Sequence, residues 1–382
     1  MQNYINPLQC IIPPHMLSHI IEYGSPAQKR WALKTLRISD QFRLKRVYFL
    51  EEAQRLVPHE AGGKQRMIYD AKEGTILPGQ LARAEGASPN ADIAVNEAYD
   101  GIGYAYDLFA ESYGRNSYDG LGMRLDASVH YQKGYDNAFW NGEQLVFGDG
   151  DEDLSEAERL FNRFTIAIEI IGHEWTHGVT QYEARLVYTQ QSGALNESIS
   201  DIFGSLVKQR SLHQSASQAD WIIGSGIFTA NVKGIGVRSL KAPGTAYDDP
   251  VLGSDPQPAH MNDYRNVVYD NGGVHINSGI PNHAFYISAI EMGGYAWEKA
   301  GRIWYKALCD KLQATTNFQS AAFMTSQAAA ELYGNGSLEQ KAVIKGWNEV
   351  GITIESTATQ SGCLLALLNL LKLLTKKTNN DM

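Results

Sequence analysis

Read for where its apolar residues fall, the chain changes character twice. From about 50 to 188 the apolar positions come in short alternating stretches. Ser128-Val129-His130-Tyr131 alternates as a strand, and Asn141-Gly142 is a hairpin turn leading into Gln144-Leu145-Val146-Phe147. Beyond Tyr188 the spacing becomes helical. It predicts helices over 278–292, 296–315, 320–333 and 337–350, the last opening with a capping box, Ser337-Leu338-Glu339-Gln340.

The first fifty residues predict a small helical unit, too short to be stable alone. Ser25-Pro26-Ala27-Gln28 is a capping box with proline at the first helical position, and Ala32, Leu33 and Leu36 follow as its apolar face. Ahead of it, Ile11-Ile12-Pro13-Pro14-His15-Met16-Leu17 carries paired prolines that predict an extended stretch. At the other end, 356–362 reads as a linker. Leucines on nearly every side fill 363–374, a run too short to span a bilayer and suited to an interfacial or partner-docking helix.

Composition narrows the function classes. The 382 residues are 43% hydrophobic and 20% charged, the balance of a globular chain with a sizeable core. A net charge of -9 without a basic stripe argues against nucleic acid or an anionic membrane as the main partner. Cys10, Cys309 and Cys363 are scattered and suggest no disulfide framework. The opening Met1-Gln2-Asn3-Tyr4-Ile5-Asn6-Pro7 lacks a basic and then apolar leader, so export is expected to use a route without a recognisable signal peptide, the alternative being a cytoplasmic protein.

The chemistry concentrates in His173-Glu174-Trp175-Thr176-His177. Residues four apart on a helix lie one above the other, so His173 and His177 offer two imidazoles to a single point. A catalytic zinc takes three nitrogen or carboxylate ligands and leaves a fourth position for water. Glu174, beside the first ligand, is then placed to take a proton from that water. Glu197, far enough downstream to return on a second helix, is the expected third ligand. Asp201 falls on the same face of that helix and is the candidate to accept the outer N–H of a ligating histidine, His173 in particular.

These residues, with Tyr135 to Gly142, Gly193 to Asp201, Asp270 to Gly279 and the flanking runs from Arg66 to Gly351, resemble the thermolysin family of zinc metalloendopeptidases over most of the chain. The short N-terminal segment with its Pro13-Pro14-x-x-Leu17 element is similar to the protealysin-like branch. The resemblance implies an α+β, thermolysin-like zincin: a propeptide over 1–50, a strand-rich lobe over 51–188 that includes the zinc helix, and a helical lobe over 189–353; it stops before the tail over 354–382, which is given no role. The active-site cleft would lie between the lobes. Pro13, Pro14 and Leu17 would form the element that keeps the precursor inactive, making its own propeptide a partner in cis.

The resemblance also implies roles residue by residue. His275 and Tyr188 match the donors to the developing oxyanion, and Asp270 the carboxylate that orients His275. Asn137 and Ala138 match the edge strand that pairs with substrate backbone, and Arg238 matches the arginine that binds its carbonyl. Phe161, Phe164, Ile170, Ile223 and Val237 match the pocket beyond the scissile bond, which implies cleavage before leucine, phenylalanine or isoleucine. Where the family has a paired calcium site, Lys208 stands with Glu169 and Asp220, so calcium is expected to be absent and a lysine ammonium to replace it. The single calcium sites, around 84–86 and Ile235, are expected to have lost their acids.

Three functional readings remain at this point: a zinc endopeptidase acting on protein or peptide substrates, a zinc aminopeptidase, and a non-catalytic zinc-bound binding protein. For Cys10 and His15, contact with the zinc in the precursor and simple packing both stay open.

Overall fold

The computed structural model describes residues 9–49 and 62–354. The leucine-rich run and the N-terminal seven residues read above lie outside them.

Two prolines shape the N-terminal segment. After strand β1 (Gln9–Cys10), Pro13 is extended at φ -75°, ψ 152°, and Pro14 already opens helix α1 (Pro14–Tyr23). The extended stretch expected of both prolines therefore ends at the first, because a proline at the first helical position has no N–H to leave unpaired. Helix α2 (Pro26–Phe49) begins at the anticipated capping box: Ser25 N–H donates to Gln28 Oε1 at 2.7 Å, and Gln28 N–H donates to Ser25 Oγ at 3.4 Å. Its docking face differs from the expected one. Ala32 is buried but Leu33 is exposed and Leu36 half-buried, while Gln28, Thr35, Ile38 and Ser39 are buried. The segment lies against a polar surface, where Gln28 donates to Glu158 O at 2.7 Å and Thr35 Oγ1 accepts from Asp136 N at 3.1 Å. Small and polar residues suit that surface better than leucine.

The strand-rich half holds β2 (Arg66–Asp70), β3 (Gln80–Ala84), helix α3 (Ile93–Asp107), β4 (Leu125–Val129), β5 (Ala138–Trp140) and β6 (Leu145–Phe147). They form a sheet of order β1-β5-β6-β4-β2-β3, so the N-terminal strand caps the β5 edge. The Asn141-Gly142 turn joins β5 to β6, with Trp140 opposite Leu145. Strand β4 stops earlier than the alternation suggested, because His130 turns to φ 53°. Helix α3 was not anticipated. Its signals are an Asp92 cap, whose carboxylate accepts from Ala94 N at 2.9 Å, and a small buried stripe of Ala94, Ala98, Ile102 and Ala105.

Helices α4 (Ile168–Tyr182) and α5 (Gln190–Ser211) cross at glycines. A Cβ on Gly172 would meet Gly204 Cα at 2.9 Å, and one on Gly204 would meet Glu169 O at 2.4 Å. Only hydrogen at both positions lets the backbones approach closely enough for α5 side chains to reach those of α4. The short pair β7 (Ile222–Ile223) and β8 (Arg238–Ser239) follows. The chain then closes with α6 (Asp270–Asn277), α7 (Gly279–Met292), α8 (Ala300–Asp310), α9 (Phe318–Tyr333) and α10 (Leu338–Glu349). The last starts at its expected cap, Gln340 N–H donating to Ser337 Oγ at 3.2 Å, although Gln340 Oε1 reaches Gly336 N rather than Ser337 N. The fold is α+β, a sheet-rich half and a helical half with α4 where they meet. No helix among the described residues is long and apolar enough to cross a membrane.

Candidate metal centre and cleft

His173 and His177 stand one turn apart on α4 with their rings perpendicular and their Nε2 atoms 3.0 Å apart, both rings fully buried. Their outer nitrogens face acceptors: His173 Nδ1 lies 2.8 Å from Asp201 Oδ1, and His177 Nδ1 lies 2.9 Å from Asn196 Oδ1 and from Ser200 Oγ. Those partners place the protons on Nδ1 and leave two Nε2 lone pairs aimed at one another. Glu197 closes the group, Oε2 at 3.5 Å from His173 Nε2 and Oε1 at 3.4 Å from His177 Nε2, and its Oε2 has no hydrogen-bond donor. Facing lone pairs beside a buried carboxylate repel unless a cation sits between them. His173, His177 and Glu197 are also the one group among the described residues whose ligand atoms converge as a metal site requires, all within 4.8 Å.

Charge balance points the same way. Glu174, Glu197, Asp201 and Asp270 are all buried, and Arg238 is the buried guanidinium among them. Carboxylates in such excess suit a divalent ion. Asp201 accepts from Arg238 twice, from Nε and Nη2 at 2.8 Å each, and from Asn282 Nδ2 at 2.9 Å. Burial alone would raise its carboxyl, but Arg238 and His173 outweigh that and hold it below the usual carboxylate range. Glu174 is the opposite case. Its Oε2 accepts from Trp140 N at 2.9 Å, its Oε1 has no partner, and burial followed by the nearby Glu197 pushes it well up.

Across the cleft, Asp270, Asn271, Gly272 and Gly273 all have positive φ, a tight turn that aims Asp270 back at His275. His275 N–H donates to Asp270 Oδ2 at 2.9 Å, and Nδ1 lies 2.5 Å from Oδ1. Burial would lower this imidazole, yet Asp270 and Glu197 together raise it. Its Nε2 lies 3.1 Å from Tyr188 Oη, and the Tyr188 hydroxyl donates to Glu197 Oε1.

The N-terminal segment lies in this cleft. Cys10 O is 2.9 Å from His275 Nε2, Ile11 O accepts from Arg238 Nη1 at 2.9 Å, and Ile11 N–H donates to Ala138 O at 3.2 Å. Asn137 holds Ile12 on both sides, Oδ1 accepting from its N–H at 2.9 Å and Nδ2 donating to its carbonyl at 3.2 Å. It is thus the Cys10 carbonyl that faces the centre. The Cys10 thiol points to Ser39 Oγ at 3.7 Å, and His15 Nε2 to Tyr247 Oη at 3.3 Å, so contact of either side chain with the metal gives way to packing. Pro13 and Leu17 are buried and Pro14 half-buried at the start of α1.

Phe161, Phe164, Ile170, Ile223 and Val237 are all buried; the two phenylalanine rings are 6.1 Å apart and Val237 N–H donates to Ile223 O at 2.8 Å. Lys208 Nζ lies 3.4 Å from Glu169 Oε1 and 2.8 Å from Asp220 Oδ2. The expectation that the 84–86 stretch had lost its acids needs correction, since Glu85 stands there, gripped by Arg66 through Nε and Nη2 at 2.6 Å each. Sequence reasoning missed Asn196, Ser200 and Asn282. The need of His177 for an outer partner, next to an Asn-Glu pair, could have indicated Asn196; nothing local marks Asn282.

A two-histidine helix, a glutamate arriving from the next helix and a buried glutamate beside them define a zinc metallopeptidase. Residues 31–181 match the thermolysin metallopeptidase catalytic domain and residues 184–352 its alpha-helical domain. The chain belongs to the thermolysin family of metallopeptidases and is a metalloendopeptidase. It is 49% identical to an "Extracellular metalloprotease" of Pectobacterium carotovorum over 91% of this chain and 97% of that one. It is 46% identical to "Protease PrtS" of Photorhabdus over 93% and 95%. Among solved structures it is similar to the "Precursor of Protealysin, Metalloproteinase from Serratia proteamaculans", 50% identical with a TM-score of 0.81, covering 90% of this chain and all of that one.

Proposed function

We propose that the chain is the self-inhibited precursor of a neutral endopeptidase that cuts on the amino side of bulky apolar residues. The observation that carries it is the pair of Nε2 lone pairs facing Glu197 beside the half-partnered, buried Glu174. His173, His177 and Glu197 would hold the zinc, with Asp201 fixing the tautomer of His173. When bound there, zinc polarises a carbonyl and brings the pKa of a water from near 16 toward about 7.

The chain's own residues do the rest. Glu174, anchored by Trp140 N–H, accepts the proton of the attacking water and hands it to the departing amine. His275, oriented and charged by Asp270, donates with Tyr188 to the carbonyl oxygen as it gains negative charge. Asn137, Ala138 and Arg238 hold the substrate backbone extended along β5, an added strand that fixes which bond is presented. Phe161, Phe164, Ile170, Ile223 and Val237 form the pocket for the residue after the cut, where each added methylene is worth roughly 1–3 kcal/mol of discrimination.

In this reading residues 1–50 are the propeptide, 51–188 and 189–353 the two catalytic lobes, and 354–382 a tail. Pro13, Pro14 and Leu17 form the inhibitory element that seats β1 in the cleft. Lys208 with Glu169 and Asp220 takes the place of calcium. The naming of a relative as extracellular supports action outside the cell. Internally quenched peptides with both ends blocked test the function: the mature protein is expected to cut them before leucine, isoleucine or phenylalanine. An aminopeptidase or a binding protein would leave them whole.

A further inference from the structure

We propose that the chain hydrolyses its own Cys10–Ile11 peptide bond in cis, a processing site inside the propeptide. The inference rests on the endopeptidase reading of the centre.

The register carries it. Strand β1 runs antiparallel to β5, with Gln9 opposite Trp140 and Cys10 opposite Phe139. From Cys10 O to Ile12 O, the successive backbone groups are met by His275 at Cys10 O, Ala138 at Ile11 N, Arg238 at Ile11 O, and Asn137 at both Ile12 N and Ile12 O. Within that run the Cys10 carbonyl is the one at His275 Nε2, which lies 3.6 Å from Glu197 Oε2 and 3.1 Å from Tyr188 Oη. Glu174 is tied to the N–H of Trp140, the residue opposite Gln9, one position before Cys10 on the acyl side of that bond. A segment that merely filled the cleft could run in either direction. This one has the carbonyl at the polar donors and the amide on β5, the polarity of a substrate.

The side chains agree. Ile11, on the amine side of the bond, is bulky, apolar and fully buried. Cys10 is buried among Tyr131, Tyr135, Phe139 and Val146. Hydrolysis adds one water: the C–N bond breaks, Cys10 ends in a carboxylate, and Ile11 leaves as an amine with the proton that Glu174 passes on. Ile11 and Ile12 stay tied to Arg238 and Asn137, with α1 and α2 behind them. The cut therefore frees only the residues up to Cys10 and leaves the half of the cleft beyond the bond covered.

Intact mass spectrometry of the zinc-saturated full chain, with labelling of new amino termini, tests this across a range of protein concentrations. The expected product lacks residues 1–10, carries a labelled Ile11 amine, and forms at a rate independent of concentration. Glu174→Gln and Ile11→Asp are expected to keep residues 1–10, and Glu174→Gln to melt as a folded protein, so that retention is not unfolding. Retention of residues 1–10 by a wild-type sample that cuts a blocked quenched peptide after limited trypsin treatment would overturn the proposal alone. A rate proportional to concentration would overturn the cis route. If the trypsin-treated sample cuts no peptide either, the endopeptidase reading falls with it.

Discussion

Asp201 holds Arg238 through both carboxylate oxygens, each at 2.8 Å, while the same Oδ1 faces His173 Nδ1 at 2.8 Å. One buried carboxylate thus couples a candidate metal ligand to the guanidinium that binds the Ile11 carbonyl. Asp201→Asn keeps the shape but removes the charge opposite a buried cation. It is expected to lower stability by about 3–5 kcal/mol and zinc affinity by about 10- to 100-fold. Urea unfolding and competition with a zinc chelator would measure the two effects separately.

Lys208 makes a second prediction. Its ammonium is the cation at buried Glu169, whose carboxyl is raised by burial and pulled back by Lys208. Lys208→Met is expected to destabilise by about 3 kcal/mol, because a buried carboxylate is left without its partner. The wild-type melting temperature should not fall with EGTA at saturating zinc. A large fall in differential scanning calorimetry would reinstate calcium.

His130 sets a pH dependence. It bridges Asp149 at 2.8 Å and Asp92 at 2.7 Å, tying the end of β4 to the cap of α3. The bond to Asp149, less the cost of burial and with Asp92 adding to it, raises the imidazole from 6.5 to about 9. A raised folded-state value stabilises fully below the unfolded pKa of 6.5, and the contribution disappears as pH rises through about 9. The stability gap between wild type and His130→Asn should therefore close over that window, from roughly 1–2 kcal/mol allowing for solvent screening at this half-buried site. Chemical denaturation at a series of pH values reads it directly.

Leu17, on the buried face of α1, makes a prediction about inhibition. Leu17→Ala should cost about 2–5 kcal/mol of packing between the N-terminal segment and the catalytic part. The unprocessed variant would then cut a quenched peptide faster than the unprocessed wild type. Equal rates would show that α1 does not seat the segment.

Where periodicity and chemistry agreed, the fold was legible. The Asn141-Gly142 hairpin, the capping box at Ser25 and the helices of the second half follow from local patterns, although the box at Ser337 forms only its Ser337 half and the helix expected over 296–315 is held to Ala300–Asp310. The centre was legible because i,i+4 geometry brings His173 and His177 together whatever surrounds them. Helix α3 was not, because its buried stripe is mostly alanine and carries little hydrophobic signal. Nor was the docking face of α2: Gln28, Thr35 and Ser39 are buried by what they meet, not by their own character. Asn282 reaches Asp201 only through the packing of α7 on α5, so no local pattern marks it. Glu85 was overlooked as an acid, and its engagement by Arg66 depends on β2 pairing with β3.

The most direct test of the centre is elemental analysis of folded protein equilibrated against buffered zinc. About one ion per chain is expected for wild type, with loss of the ion in His177→Ala and Glu197→Ala. Folded wild-type protein without stoichiometric metal, or variants that keep it, would contradict the assignment of His173, His177 and Glu197 as the site.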